Sequence, residues 1–152
     1  MPEMSIPQRL EMAHQGTNPS IVCRVPSGWV AMCDMQYLRG YCILLADPAV
    51  ESINALDESG RARFMLDMSL VGDALLKVTG AYRINYAMLS NTDPYLHAHI
   101  VPRYLEEPEE FRRQLPWSYP PEHRQTNSFD PGRDRDLMRE LAAAIQTLLQ
   151  PH

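Results

Sequence analysis

The sequence has no long apolar run. Its longest apolar stretches, such as residues 41–46, are far shorter than the ~20 residues that a membrane-spanning helix needs. Residues 1–5 lack a basic region followed by an apolar stretch, so they do not match a signal peptide. These absences predict a protein with no membrane partner and a cytoplasmic location.

Cysteine and basic residues are also few. The three cysteines, Cys23, Cys33 and Cys42, form no CxxC pair and lie in apolar segments, which predicts reduced thiols in the core. Lysine and arginine total 14 against 19 acidic residues, and the net charge of −5 argues against nucleic acid as a partner. A compact phosphate ligand still fits this charge, because it needs only local donors.

The length of 152 residues is usual for one domain with a continuous core. Three strands are predicted first, at 20–24, 29–34 and 41–46, and the first two form a hairpin around the turn signal at 26–28. The third strand ends before Pro48, because the residue before a proline is biased away from helix. Together these strands make a meander.

An amphipathic helix of about five turns follows the meander. It begins after the start signal at 57–60 and stops at Gly80, which suits the left-handed position after a helix. Two further strands are predicted at 82–89 and 96–103, on either side of the polar turn at 90–94.

The remaining segments are a proline-rich connection and two helices. Residues 104–131, which we call the flap, are predicted to be ordered but irregular. A helix with one apolar stripe is predicted over 134–150, and a short helix over 6–14.

The most informative stretch is residues 91–103. Because side chains on a strand alternate between faces, Tyr95, His97 and His99 share one face and the apolar residues between them share the other. The two imidazoles then stand about 6.6 Å apart, which is two steps of about 3.3 Å along a strand. They lie on a face that is free to bind a ligand.

A His-x-His strand alone fits three interpretations. The histidines could be ordinary surface residues without chemistry. They could chelate zinc, although no spacing in the sequence supplies a convincing third ligand. Alternatively, one neutral imidazole could attack phosphorus and form a phosphoramidate.

The surroundings of the two histidines resemble the histidine-triad (HIT) superfamily, whose signature is His-φ-His-φ-His-φ-φ with φ an apolar residue. Residues 95–101 read Tyr-Leu-His-Ala-His-Ile-Val, followed by Pro-Arg as in many dinucleoside-polyphosphate hydrolases of the family. The segments 27–30, 39–41 and 80–86 also resemble bacterial HIT proteins, in the same order.

The resemblance implies an α+β fold: a five-stranded antiparallel meander with a crossing helix and a C-terminal helix, paired as a homodimer into a ten-stranded sheet. Residues 1–152 would form a single HIT-like domain, with a core at about 19–104 and a C-terminal flap and helix at 105–152. The implied function is hydrolysis or nucleotidyl transfer at the α-phosphate of a dinucleoside polyphosphate or nucleoside phosphoramidate, through a nucleotidyl-histidine intermediate.

The resemblance also implies roles for single residues. His97 matches the nucleophile that becomes nucleotidylated, and His99 matches the histidine that binds the phosphate and helps the leaving group to depart. Asp34, with Met35 beside it, falls where the family places a residue that hydrogen-bonds the ribose hydroxyls. Without the family, Asp34 would be a turn residue at a strand end.

Asn91 and Ser90 lie in the loop before the catalytic strand, where family members hold an amide that contacts phosphate. Asn91 alone would be an ordinary turn residue. One position departs from the signature, since Tyr95 stands where the first histidine belongs. Its phenol is expected either to replace part of the lost hydrogen bonding or to cover apolar surface at the pocket edge. The mechanism further requires a neutral His97 whose second nitrogen donates to a backbone carbonyl.

Two rival functions stay open at this point. A protein that kept the pocket after losing the first histidine would bind or sense nucleotides with weak catalysis. A metal-dependent enzyme would use His97 and His99 as ligands. The favoured mechanism requires no cofactor and no metal. A Mg²⁺ ion could accompany a polyphosphate substrate, although no acidic cluster in the sequence matches a dedicated magnesium site.

Overall fold

The computed structural model describes residues 3–151. The five strands are β1 Ile21–Val25, β2 Gly28–Met32, β3 Cys42–Ala46, β4 Arg83–Ala87 and β5 His97–Arg103. The α-helices are α1 Ile6–Gln15, α2 Glu58–Thr79, α3 Glu109–Arg112, α4 Pro121–Arg124 and α5 Arg135–Leu149. Short 3-10 helices lie at Ile53–Ala55 and Pro116–Ser118.

The strands form one antiparallel sheet in the order β1-β2-β3-β5-β4. The predicted α+β fold with a five-stranded antiparallel sheet and a crossing helix is confirmed. The expectation of a meander holds only for β1 to β3. The chain passes through α2 to the far edge of the sheet, where it forms β4, and β5 then fills the gap between β3 and β4. The histidine strand is therefore an inner strand with a neighbour on each side.

Local capping signals set the ends of the two helices that the sequence defines most clearly. Asp57 accepts a hydrogen bond from the Gly60 amide at 2.7 Å, and Gly80 has a φ of 73° after the last turn of α2. The helix has 22 residues, so it is longer than the predicted five turns. Ser5 and Gln8 form a capping box at the start of α1.

The main core lies between one face of the sheet and helices α2 and α5. The apolar side of β5 contributes Ala98 and Ile100 to this core. They pack with fully buried residues of α2 and α5, namely Phe64, Val71, Leu75, Leu141 and Ile145. The opposite face of β5, which carries the two histidines, is therefore not covered by α2 or α5. None of the helices within residues 3–151 is long and apolar enough to cross a membrane.

The flap covers part of the histidine face and contains short helices rather than irregular chain alone. It is anchored by Arg103, whose side chain is 2% exposed and pairs with Glu107 at 3.0 Å. Tyr119 also donates to Glu107, at 2.7 Å. At the other end of the flap, the amide of Phe129 donates to the Asp34 carbonyl at 2.8 Å. The flap is thus tied to the sheet at both ends.

Candidate functional site

A cavity of about 870 Å³ opens on the histidine face of the sheet. Its walls come from β5, from the loop before β5, from α1, from the segment after β2 and from the flap. All of the site residues predicted from the sequence line this one cavity: Asp34, Met35, Ser90, Asn91, Tyr95, His97 and His99. The cavity is also lined by residues that the sequence did not identify, including Arg9, Tyr41 and Trp117.

His97 is held by the backbone of Tyr95. Its Nδ1 atom lies 2.7 Å from the Tyr95 carbonyl oxygen. A carbonyl oxygen can only accept, so Nδ1 carries a proton, and in the neutral ring Nε2 keeps a free lone pair. This is the backbone contact that the proposed nucleophile requires.

The same carbonyl accepts a second hydrogen bond. The Ser90 hydroxyl donates to it at 3.0 Å, and Ser90 has a φ of 53°, in the left-handed region that a residue with a Cβ rarely occupies. Ser90 was predicted to contact the nucleotide, and that contact stays a prediction. In this structure its hydroxyl bonds the carbonyl that orients His97.

His99 lies beside His97, with ring centroids 5.0 Å apart, and its Nδ1 is 2.7 Å from the Tyr41 hydroxyl. The indole of Trp117 meets the His99 ring edge-on at 5.4 Å. Burial, together with a smaller effect of the nearby His97, lowers the pKa of His99 to about 4. Burial also raises the pKa of Tyr41, so its phenol stays protonated and can donate to Nδ1 of the His99 tautomer that carries its proton on Nε2. The Nε2–H of a neutral His99 is then left as a donor.

The phenol of Tyr95 does not take over the hydrogen bonding of the missing histidine. Among residues 3–151 it has no hydrogen-bond partner, and its ring packs on a small cluster formed by α1 and β3, with Ile6, Leu10 and Leu45. These contacts favour the interpretation in which Tyr95 covers apolar surface at the edge of the pocket. The backbone of Tyr95, rather than its side chain, contacts His97.

The side chain of Asp34 is 55% exposed and forms a two-point ion pair with Arg9. Met35 beside it is half-buried and bridges to Ser128 of the flap. Asn91 is exposed, and within the described chain its side chain makes no hydrogen bond. Both Asp34 and Asn91 are thus open to a ligand.

The comparisons with known proteins agree on the architecture. No protein-family model and no curated protein matches the sequence. Solved structures do match, among them a histidine triad protein from Sinorhizobium meliloti 1021, with 19% identity, a TM-score of 0.67 and coverage of 89% of this chain and 94% of that one. Another, from Marinobacter aquaeolei VT8, has 17% identity, a TM-score of 0.71 and coverage of 89% and 96%.

A third, the histidine triad protein blr8122 from Bradyrhizobium japonicum, has 24% identity and a TM-score of 0.64 over 87% of this chain and 96% of that one. The chain has the histidine-triad fold. The HIT-like architecture predicted from residues 95–101 is therefore confirmed. In this histidine-triad fold, the strand with His97 and His99 is β5.

Within this histidine-triad fold, sequence reasoning missed Arg9, Tyr41 and Trp117. Tyr41 precedes β3, and the register that pairs Ile43 with His99 brings it beside that ring. A tyrosine at the start of an otherwise apolar strand was the available signal. Arg9 and Trp117 gave no local signal, because their partners are far away in sequence.

Metal ligation was the rival interpretation of the two histidines. Across residues 3–151, no three His, Cys, Asp or Glu side chains form a group that could hold a metal ion. The Nδ1 atoms of both His97 and His99 already contact protein oxygens at 2.7 Å. Each ring therefore has one nitrogen left for a ligand.

Proposed function

We propose that this protein is a nucleotide hydrolase or nucleotidyltransferase in which His97 attacks the α-phosphate of a nucleotide. The observation that carries the proposal is the 2.7 Å contact between His97 Nδ1 and the Tyr95 carbonyl. In the neutral ring it leaves the free lone pair on Nε2, and it restrains the rotation of the ring, which is what a nucleophilic imidazole requires. The histidine-triad fold supports the same assignment.

In the first step, a bond forms between His97 Nε2 and the α-phosphorus while the bond from phosphorus to the leaving group breaks. The leaving group takes the bonding electron pair, and the imidazole becomes cationic. The Tyr95 carbonyl stabilises that cation through the Nδ1 proton. In the second step, water attacks phosphorus, the phosphorus–nitrogen bond breaks, a proton passes to solvent and a nucleoside monophosphate leaves. In a transferase, another hydroxyl replaces the water.

His99 would serve this reaction as a neutral donor. With its pKa near 4, it carries no charge at neutral pH, and its Nε2–H can donate to a non-bridging phosphate oxygen. A bound phosphate adds negative charge beside the ring, which raises the pKa of His99. The ring could then protonate the leaving group.

The charges of the cavity bear on the substrate. Three carboxylates line it, Glu3, Asp34 and Asp93, and Arg9, the one lysine or arginine among the described lining residues, is already paired with Asp34. Such a lining favours a nucleotide with few negative charges over a long polyphosphate chain. We therefore propose a nucleoside phosphoramidate as the better substrate and a dinucleoside polyphosphate as the poorer one, unless Mg²⁺ accompanies it.

A second candidate is a nucleotide-binding or sensing protein with weak catalysis. It is favoured by the packing of Tyr95 against apolar residues, because no imidazole replaces the first histidine of the triad. Turnover of an adenosine 5′-phosphoramidate and of a diadenosine polyphosphate, each measured with Mg²⁺ and with EDTA, tests both candidates. The enzyme predicts turnover of the phosphoramidate in EDTA, the sensor predicts binding without turnover, and a metal-dependent enzyme predicts loss of turnover in EDTA.

We extend the proposal to a homodimer in the cytoplasm. β4 is an edge strand, and the large side chains of Tyr82 and Tyr86 are 40% and 41% exposed along it. A second copy that paired along this edge would extend the sheet to ten strands. Light scattering coupled to size exclusion measures the oligomeric state.

A further inference from the structure

Arg9 and Asp34 form an ion pair of two-point geometry at the rim of the cavity. The Arg9 Nη2 atom lies 2.7 Å from one carboxylate oxygen of Asp34, and Nη1 lies 3.3 Å from the other. One guanidinium therefore bonds both oxygens and fixes the plane of the carboxylate.

The two partners differ sharply in exposure. The Arg9 side chain is 6% exposed, whereas the Asp34 side chain is 55% exposed. Each carboxylate oxygen can accept two hydrogen bonds, so the contact with Arg9 leaves an acceptor site on each. The paired edge of the carboxylate faces Arg9, and the exposure of Asp34 leaves one of the remaining acceptor sites open to a ribose hydroxyl in the cavity.

Arg9 is itself rigidly placed. Its Nε donates to the Met4 carbonyl at 3.2 Å, and the helix that carries it packs through Leu10 against Leu45 of β3. The first amide of α1, that of Ile6, donates to the Asp93 carboxylate at 2.7 Å. Helix α1 thus contacts the cavity on the Asp34 side and on the side of the loop before β5.

We propose that Arg9 is a positioning residue, which holds the Asp34 carboxylate so that one of its oxygens accepts a hydrogen bond from a ribose hydroxyl. The proposal makes α1 a working part of the nucleotide site, and it rests on the proposed nucleotide function. Ribose selectivity then depends on both residues: Asp34 contacts the ribose, and Arg9 acts only through Asp34.

The test measures binding of adenosine 5′-monophosphate and of its 2′,3′-dideoxy analogue by titration calorimetry. The wild-type protein should prefer the ribonucleotide by about tenfold, since one hydrogen bond to a charged acceptor is at stake. Arg9→Met and Asp34→Asn should each reduce this preference to about threefold or less, and should leave binding of the dideoxy analogue within about twofold. Arg9→Lys should restore part of the preference, because it keeps the charge but not the two-point contact.

Two control variants separate positioning from loss of structure. Leu10→Ala weakens the packing of α1 and should lower the melting temperature without changing the ratio of the two dissociation constants. Arg24→Met removes an arginine whose ion pair with Asp47, at 3.0 Å, lies outside the cavity, and it should leave both dissociation constants unchanged. The double variant Arg9→Met with Asp34→Asn should show no larger loss of preference than either single change.

The possible failures are distinct. If the wild-type protein binds neither nucleotide, the proposed function fails and the role of Arg9 fails with it. If it binds both equally, nucleotide binding stands but the ribose assignment is overturned. If Asp34→Asn abolishes the preference while Arg9→Met retains it in full, only the positioning role of Arg9 is overturned.

Discussion

The Nδ1 atom of His97 lies 2.7 Å from the carbonyl oxygen of Tyr95, two residues earlier in the chain. Tyr95 is also the position at which the triad signature has lost its first histidine. The His97 ring is therefore oriented by the backbone of residue 95, and this contact survives any change of side chain that preserves the backbone.

The first prediction concerns the Tyr95 side chain. Tyr95→Phe should change kcat/KM by less than about twofold, because its phenol bonds no described residue and the substitution keeps the ring that packs on Ile6 and Leu10. Steady-state kinetics with a phosphoramidate substrate checks this. A loss of more than about 10²-fold would show that the phenol transfers a proton, and the division of labour between His97 and His99 would then be wrong.

The second prediction separates hydrogen bonding from backbone strain at Ser90. Ser90→Ala and Ser90→Gly both remove the hydroxyl that bonds the Tyr95 carbonyl, so both should lower kcat/KM by about three- to tenfold. The glycine variant should be the more stable of the two by up to about 1 kcal/mol, since a φ of 53° suits glycine better than alanine. Chemical denaturation measures the stabilities. Unchanged activity in both variants would mean that Ser90 does not support the nucleophile.

The third prediction is the pH behaviour of His99. NMR titration of its ring should give a midpoint near 4, well below the ordinary value of 6.5. The unfolded chain then binds more protons than the folded chain between about pH 6.5 and pH 4, so stability from this group is lost as the pH falls through that range. The variant Tyr41→Phe removes the hydroxyl that contacts Nδ1 of His99. A His99 midpoint near 6.5 in the wild-type protein would contradict the account.

The fourth prediction addresses the anchor of the flap. Arg103→Met should cost about 3 to 5 kcal/mol of unfolding free energy, because Glu107 would be left buried without its partner. The double variant Arg103→Met with Glu107→Met should recover part of that loss, since no unpaired charge remains. Urea denaturation measures both. Equal stabilities of the single and double variants would show that the charge of Glu107 is not the cause.

Local signals were enough for much of the fold. Asp57 and Gly80 defined α2, because a helix cap and a left-handed glycine depend on neighbouring residues only. Strand alternation placed His97 and His99 on one face. The position of β5 between β3 and β4 could not be predicted in the same way, because it depends on the path of the chain after α2.

The contacts that complete the site were out of reach for a similar reason. Tyr41 and His99 are 58 residues apart, and Arg9 and Asp34 are 25 apart, so only the folded packing brings each pair together. The hydrogen bond of Ser90 to the Tyr95 carbonyl was not predicted, for a different reason. Ser90 was found in the expected loop, but its hydroxyl bonds a backbone carbonyl whose position depends on the turn geometry.

The central claim is that His97 forms a covalent bond to the nucleotide. The most direct test mixes the protein with an adenosine 5′-phosphoramidate, stops the reaction within its first turnover and maps the adduct by mass spectrometry under conditions that preserve the phosphorus–nitrogen bond. The account predicts an adenylyl group on His97 in the wild-type protein. It also predicts no adduct in His97→Ala, together with a loss of at least about 10³-fold in kcat/KM. Full turnover by His97→Ala, or an adduct on another residue, would contradict it.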